Sequence, residues 1–530
     1  KITYKELFKA IEETAKAYQA LNIKEGDIVT ILGVSTPELV YSFYALNRLG
    51  AIPNVIDPRT KPAGINRYLK EVDSKCLVTL DVCTPNVVKA LNDTSVEDVV
   101  VFSANDSLPL GIKQIKLLQD KVDSISDKTK KIDVSSQMPF IKWKDFIKLG
   151  KNEKIKDRPY TKDYPAAIVH TGGTTGLPKA VLLSNDNFNA SMTEIKNCPV
   201  EMQRGDSFLN IIVPFVAFGL VLAMHGPMTL GWKSILVPKF EASKFDDLVI
   251  KHRPNGVMGV PTYFKTLIDS PKIQNHDFSH FKTILIGGDR AQPALEVEVN
   301  DFMDNHGGNV HLYKGYSMTE ASSTATCSFA TVNTLGGNGV PLVKTVISAF
   351  KPGTDEELRY GEEGELCIQT PTMMLGYYKN EEATQEVLKE HSDGNYWIHS
   401  ADIGYVTEDG EIFTKDRIKR MIIRSGYKVF PSELENLFIK HNDVSACAVV
   451  GVYDPVDIEA PKVFITLNED ADAEMVIEEL QQMLDESELP DYYNPVAYQV
   501  KDTIPLTAIG KVDFMALKED EKGKAYTLKK

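Results

Sequence analysis

Apolar residues recur at helical spacing near the start of the chain, collapse into a short apolar run, and then return to helical spacing. "ELFKAIEETAKAYQAL" predicts a helix, "DIVTILG" a strand and "TPELVYSFYALNRLG" a second helix. Thr36 before Pro37 is a plausible N-cap, and Gly50 can close that helix. The alternation returns in "SILVPKF", "GVMGVPTYF" and "TILIGGD". Strands separated by helices predict layered, mostly parallel α/β sheets. From about residue 361 the pattern turns to β, in "GELCIQTP", "GEIFTKD" and "KRMIIRSGYKVFP". From residue 432 it becomes compact α+β: "SELENLFIKH", "SACAVVGVYD", "PKVFITLN" and "AEMVIEELQQMLDESEL". A boundary near Arg417–Lys419 is expected. It gives a large domain over 1–417, with a β-rich subdomain over about 340–417, and a small C-terminal domain over 418–530.

Two stretches need separate treatment. Ser207 to Trp232 contains no Asp, Glu, Lys or Arg, and its length would suit a membrane helix. Pro214, Gly219, His225 and Pro227 interrupt it, so a buried strand-and-helix segment is expected. In the Lys-rich region 125–158, Phe140, Trp143, Phe146 and Ile147 share one helical face. A surface helix with its apolar side on the core is expected there, rather than a helix lying on a membrane.

The chain has 530 residues and a net charge of −15, which argues against a nucleic-acid partner and against adsorption to anionic lipid. Cys76, Cys83, Cys198, Cys327, Cys367 and Cys447 are scattered, with no CxxC pair, so neither a zinc ribbon nor a disulfide framework is suggested. Reduced thiols fit a cytoplasmic protein, and no signal peptide opens the sequence.

"TGGTTGLPKAV" gathers three glycines, three threonines and a lysine. Backbone N–H groups, hydroxyls and an ammonium together suit a polyphosphate. The GxxxxGK[ST] phosphate loop does not fit, because Leu177 and Pro178 follow Gly176. Pro178 also prevents a direct run into a helix. Alone, the stretch reads equally well as a hairpin loop.

Four further stretches accompany it: "GYSMTE" (315–320), "IHSADIGYVTEDG" (398–410), "KDRIKRMIIRSGYKVFPSELE" (415–435) and "PLTAIGKVDFMAL" (505–517). In this order and spacing the set resembles the adenylate-forming superfamily of acyl-CoA synthetases, peptide-synthetase adenylation domains and luciferases. The likeness spans nearly the whole chain, including "ITYKEL", "GAIPNVIDP" and "GELCIQTPTMMLGYYKN".

The resemblance implies ATP-dependent activation of a carboxylic acid to an acyl-adenylate, then transfer to a thiol. Thr171, Gly172, Gly173, Thr174, Thr175, Gly176 and Lys179 would grip the β- and γ-phosphates. Gly172 stands where a serine is usual, and Ala180 where a glycine is usual. Tyr316 would stack on adenine, Thr319 would bond the α-phosphate, and Glu320 would hold Mg²⁺. Asp402 would take the ribose hydroxyls with help from Arg417, although the usual TGD reads Ser400-Ala401-Asp402. Lys511 would bridge the substrate carboxylate and the α-phosphate. Lys419 matches the hinge about which the small domain turns, presenting the loop around Gly426 for thioester formation. Lys415, Arg417, Lys419, Arg420, Arg424 and Lys428 form a basic run broken only by Asp416, suited to an anionic nucleotide and to coenzyme A.

For the acid, "VPFVAFGLV" carries no Asp to hold an amino group, so an amino-acid substrate is not expected. Phe215, Phe218, Tyr263, Gly287, Gly288, Ser317 and Met318 are expected to line an apolar pocket for an aliphatic or aromatic acid, with Ser317 replacing a usual glycine. Coenzyme A is the first expected acceptor and a separate carrier protein the second. A non-catalytic nucleotide-binding relative and a luciferase-type oxygenase are the readings from other classes.

Overall fold

The structure, a computed structural model, describes residues 1–103, 106–107, 140–171, 178–289, 292–469, 471–507, 511–519 and 525–526. The large domain rests on two sheets. The first runs Gly376–Tyr377, Ala180–Ser184, Pro165–His170, Ile52–Ile56, Ile28–Leu32, Cys76–Leu80, Asp98–Phe102 and Phe140–Lys142. It is parallel from Pro165–His170 onward and antiparallel at the other edge. Its central strands are buried throughout, which is why they read as continuous apolar runs rather than alternating ones. The second sheet is parallel, in the order Leu312–Lys314, Thr283–Ile286, Gly256–Gly259, Ser207–Asn210 and Lys233–Leu236.

The first helix, Tyr4–Ala20, starts at a capping box between Thr3 and Glu6. The second, Pro37–Leu49, is capped by the Thr36 hydroxyl and closed by Gly50 at φ 74°, as its sequence signals predict. The β-rich subdomain is antiparallel: Val346–Phe350, Gly364–Gln369, Tyr396–Val406 and Leu388–Glu390, with Ile412–Arg417 also paired to Tyr396–Val406. The hairpin Ile422–Arg424 and Tyr427–Val429 follows. The C-terminal sheet of Val444–Asp454, Ile458–Leu467, Ala497–Val500 and Ala525–Tyr526 shares its core with the helices Pro431–Phe438 and Ala473–Asp485.

Two expectations change in detail. Phe140 is not on a helix: it opens a strand that pairs with Asp98–Phe102, and tertiary pairing overrides its helical spacing. The helix is Trp143–Leu149, and its Phe146 ring packs 4.9 Å from that of Tyr18. The uncharged stretch forms the strand Ser207–Asn210 and a buried π-helix, Phe218–His225. Gly219 permits this winding, because a Cβ there would overlap the Val213 carbonyl. The Asn210 side-chain amide fastens it by donating to the Ala223 carbonyl at 2.7 Å. No helix among the described residues is long and apolar enough to cross a membrane.

Candidate active site

The Gly/Thr loop joins two antiparallel strands, Pro165–His170 and Ala180–Ser184. Its base is closed at both sides. The Thr171 N–H donates to the Lys179 carbonyl at 3.0 Å, and the Lys179 N–H donates to Thr171 Oγ1 at 3.0 Å. The Thr171 hydroxyl therefore shapes the loop itself. Gly172, Gly173, Thr174, Thr175 and Gly176 lie outside the described residues.

Tyr377 connects the end of this loop to the "GYSMTE" segment. The Lys179 ammonium sits 4.7 Å above the Tyr377 ring, and the Tyr377 hydroxyl donates to Glu320 Oε1 at 2.6 Å. Burial, then the Glu320 carboxylate, pushes the Tyr377 phenol well above its ordinary range, so it stays a donor. Glu320 is half-buried in the tight turn Thr319–Ala321, whose Glu320 carbonyl accepts from the Met374 N–H at 2.8 Å. A fixed carboxylate facing a lysine-ended loop is a donor suited to a hard cation shared with phosphate oxygens.

A crevice of about 330 Å³ opens beside it, between the large domain and the C-terminal segment. Asp402, Arg417, Tyr316, Ser317 and Gly288 line it together with Lys511. Asp402 and Arg417 are directly paired across neighbouring strands. Arg417 Nε lies 3.2 Å from Asp402 Oδ1, and the Tyr316 hydroxyl donates to Asp402 Oδ2 at 2.5 Å. Burial raises the Asp402 carboxyl above its ordinary range; Arg417, the Tyr316 hydrogen bond and Lys511 oppose that rise. Burial lowers the Lys511 ammonium, Arg417 lowers it further, and Asp289 and Asp402 oppose. Asp289, which the sequence pattern did not single out, also lines the crevice.

The departures around Asp402 make local sense. Three residues, 400–402, bulge from Tyr396–Val406 against the strand Gly364–Gln369. Such a bulge re-aims a side chain. Ser400 supplies the hydroxyl of the usual threonine, donating to the Leu366 carbonyl at 2.6 Å and accepting from the Asp402 N–H at 3.0 Å. Ala401 takes φ 57°, a conformation that explains why glycine is usual there.

The acyl-pocket residues are brought together in part. A Cβ on Gly287 would lie 3.3 Å from the Phe218 ring. Phe215 is buried, and Tyr263 packs on Phe240 with ring centroids 4.7 Å apart. The Arg59 guanidinium lies 5.6 Å from the Phe215 ring centroid and is paired with Asp57 at 2.8 Å. The sequence pattern did not single it out, although "DPRT" follows a buried strand directly. Met318 packs on the core of the β-rich subdomain.

The basic run is not a free positive surface. Lys415 pairs with Glu363 and Glu433, Arg417 with Asp402, Arg420 with Asp416 and Glu435, and Arg424 with Asp457. Most of these acids are distant in sequence, which is why local spacing suggested an uncompensated island. Lys419 lines the crevice just beyond the strand Ile412–Arg417. Gly426, at φ 88° in the exposed hairpin turn, is not part of its lining.

Residues 1–378 match the AMP-binding enzyme family, and residues 433–511 match the AMP-binding enzyme C-terminal domain. The chain belongs to the AMP-binding enzyme family. Among relatives, this AMP-binding enzyme is 30% identical to the long-chain-fatty-acid–CoA ligase of Bacillus subtilis, over 98% of this chain and 90% of that one. It is 30% identical to the probable 4-coumarate–CoA ligase 3 of Dictyostelium discoideum, over 95% of this chain and 87% of that one. Among solved structures, ATP-bound MatB from Rhodopseudomonas palustris has a similar fold, with TM-score 0.82 at 20% identity over 98% and 93% of the two chains. The o-succinylbenzoate CoA synthetase MenE from Bacillus subtilis, bound to its acyl-adenylate, gives TM-score 0.77 at 23% identity over 99% and 94%.

Proposed function

We propose that this AMP-binding enzyme condenses a carboxylic acid with ATP to an acyl-adenylate and pyrophosphate, then passes the acyl group to the thiol of coenzyme A. The observation that carries the reading is the meeting of Lys511 with the Asp402–Arg417–Tyr316 cluster in one crevice. Anion must attack anion in the first step: a carboxylate oxygen bonds to the α-phosphorus as the bond to the bridging oxygen breaks. Charge has to be screened and the partners aligned. Asp402 would accept from the ribose hydroxyls, and Lys511 would lie where carboxylate and α-phosphate meet. Mg²⁺, held by Glu320 with the phosphate oxygens, would neutralise charge on the departing pyrophosphate.

In the second step the thiol sulfur bonds to the acyl carbon, the bond to AMP breaks, and the thiol proton is released. Lys511 and Gly426 stand apart in this structure, one lining the crevice and one outside it. Rotation of the C-terminal domain about Lys419 would exchange them. The packing of the Phe218 ring against Gly287 favours an aliphatic or aromatic acid, in keeping with the fatty-acid and coumarate ligases among the relatives. Six unpaired cysteines suit a reducing, cytoplasmic setting.

ATP–pyrophosphate exchange across fatty, aryl and short-chain acids tests the reading. Exchange with an apolar acid supports it; no exchange with any acid favours a nucleotide-binding relative. Acyl transfer to a phosphopantetheine protein but none to coenzyme A would replace the acceptor.

A further inference from the structure

Four side chains are buried together in the β-rich subdomain, one of them on the strand that carries Asp402: Glu365, Cys367, His391 and His399. Buried polar groups are costly unless satisfied, and a connected set rigidifies what it touches. Glu365 Oε1 accepts from the Ala401 N–H at 3.0 Å. Glu365 Oε2 lies 3.0 Å from His399 Nδ1, and His399 Nε2 lies 2.9 Å from His391 Nε2. An ionised carboxylate can only accept. His399 Nδ1–H therefore donates to Glu365, and one proton lies between the two Nε2 atoms and joins His391 to His399. The far end of this chain is the N–H of Ala401, the residue held at φ 57° immediately before Asp402.

Cys367, His391 and His399 also offer a soft-metal donor set. Two nitrogens on one tetrahedral zinc stand about 3.3 Å apart, given Zn–N bonds near 2.0–2.1 Å. The histidine nitrogens face each other at 2.9 Å instead, and the Cys367 sulfur lies 3.6 Å from Nδ1, the His399 nitrogen that faces Glu365 rather than His391. The arrangement is that of a hydrogen-bonded chain.

We propose that Glu365, oriented by His399 and His391, is a positioning residue that locks the 400–402 bulge and so aims Asp402 at the nucleotide sugar. The proposal rests on the ribose reading of Asp402. Its signature is sugar discrimination rather than general loss of rate.

The test measures kcat/KM for ATP and for 2′-deoxy-ATP in pyrophosphate exchange, in the wild type and in Glu365→Ala, Glu365→Gln, His391→Phe and Asp402→Ala. The wild type should prefer ATP. Glu365→Ala should lower that preference by about tenfold or more, the equivalent of one hydrogen bond to a charged acceptor. Glu365→Gln should restore much of it, because its amide oxygen still accepts from Ala401. His391→Phe keeps a ring on Trp397 and should lower the preference partway, which preserves the test if Glu365→Ala does not fold. An unchanged preference in folded Glu365→Ala or His391→Phe, with Asp402→Ala lowering it, overturns this inference alone. An unchanged preference in Asp402→Ala overturns the ribose reading and this inference together. One equivalent of zinc in the purified protein, lost in His391→Phe, would also overturn it by making the histidines metal ligands.

Discussion

Asp402→Ala is the sharpest probe of the nucleotide side. Asp402 is 9% exposed and already bonds Arg417 at 3.2 Å and Tyr316 at 2.5 Å. A carboxylate has about four acceptor positions, so about two remain for ribose hydroxyls. Each hydrogen bond to a charged acceptor is worth about 1.5–3 kcal/mol, so two are worth about 3–6 kcal/mol. At about 1.4 kcal/mol per tenfold, KM for ATP should rise on the order of 10²–10⁴-fold. The acid should feel little of this, because its expected contact is Lys511. The variant also removes the acceptor of the buried Tyr316 hydroxyl, at a stability cost of up to about 1–3 kcal/mol. Asp402→Asn keeps an acceptor for Tyr316 and separates the two effects. Pyrophosphate exchange, with ATP and acid titrated in turn, reads both constants. Burial raises the Asp402 carboxyl pKa, so KM for ATP should begin to rise, on acidification, at a higher pH than for an ordinary carboxylate. Equal losses for both substrates, or no change for ATP, would refute the ribose assignment.

Other consequences are separable. Tyr377→Phe frees Glu320 from its hydroxyl donor, and the Mg²⁺ concentration for half-maximal exchange should rise; an unchanged Mg²⁺ curve would remove Tyr377 from the site. Lys314→Met should destabilise the fold by about 3–5 kcal/mol in urea unfolding, because Glu296 is 2% exposed and would lose its ammonium partner. A loss under about 1 kcal/mol would show that water compensates. Burial raises the Glu194 carboxyl to about 7, with the Thr345 hydroxyl opposing. The native state therefore binds the extra proton, and stability should fall as pH rises from about 5 through 7, by up to about 3 kcal/mol. Glu194→Gln should flatten that slope and unfold later than wild type at pH 8; an unchanged slope assigns the dependence elsewhere.

What the sequence reveals and hides follows from locality. The helix Pro37–Leu49 is legible because Thr36 and Gly50 act within a few residues of it. The strand Phe140–Lys142 is hidden because only its pairing with a distant strand selects extended backbone. Among site residues, Lys511, Asp402 and Arg417 stand in ordered motifs, and the fold carries them to one crevice from positions far apart. Tyr377, Asp289 and Glu365 lie in stretches that the pattern does mark, but their roles come from partners remote in the chain, which local spacing does not show. The basic run misleads for the same reason: Glu363, Glu435 and Asp457 neutralise it from outside the window.

The central claim is that Lys511 serves the first half-reaction from a domain that later turns away. The direct measurement is both half-reactions of Lys511→Ala, checked for fold by circular dichroism. A preorganised cation at developing charge is worth on the order of 10²–10³ in rate. Adenylation from acid and ATP should fall by at least that much, while transfer from supplied acyl-adenylate to coenzyme A stays near wild type. Gly426→Leu, strained at φ 88°, should give the reverse pattern. Loss of both half-reactions in folded Lys511→Ala would contradict domain alternation, and undiminished adenylation would contradict the catalytic role of Lys511 itself.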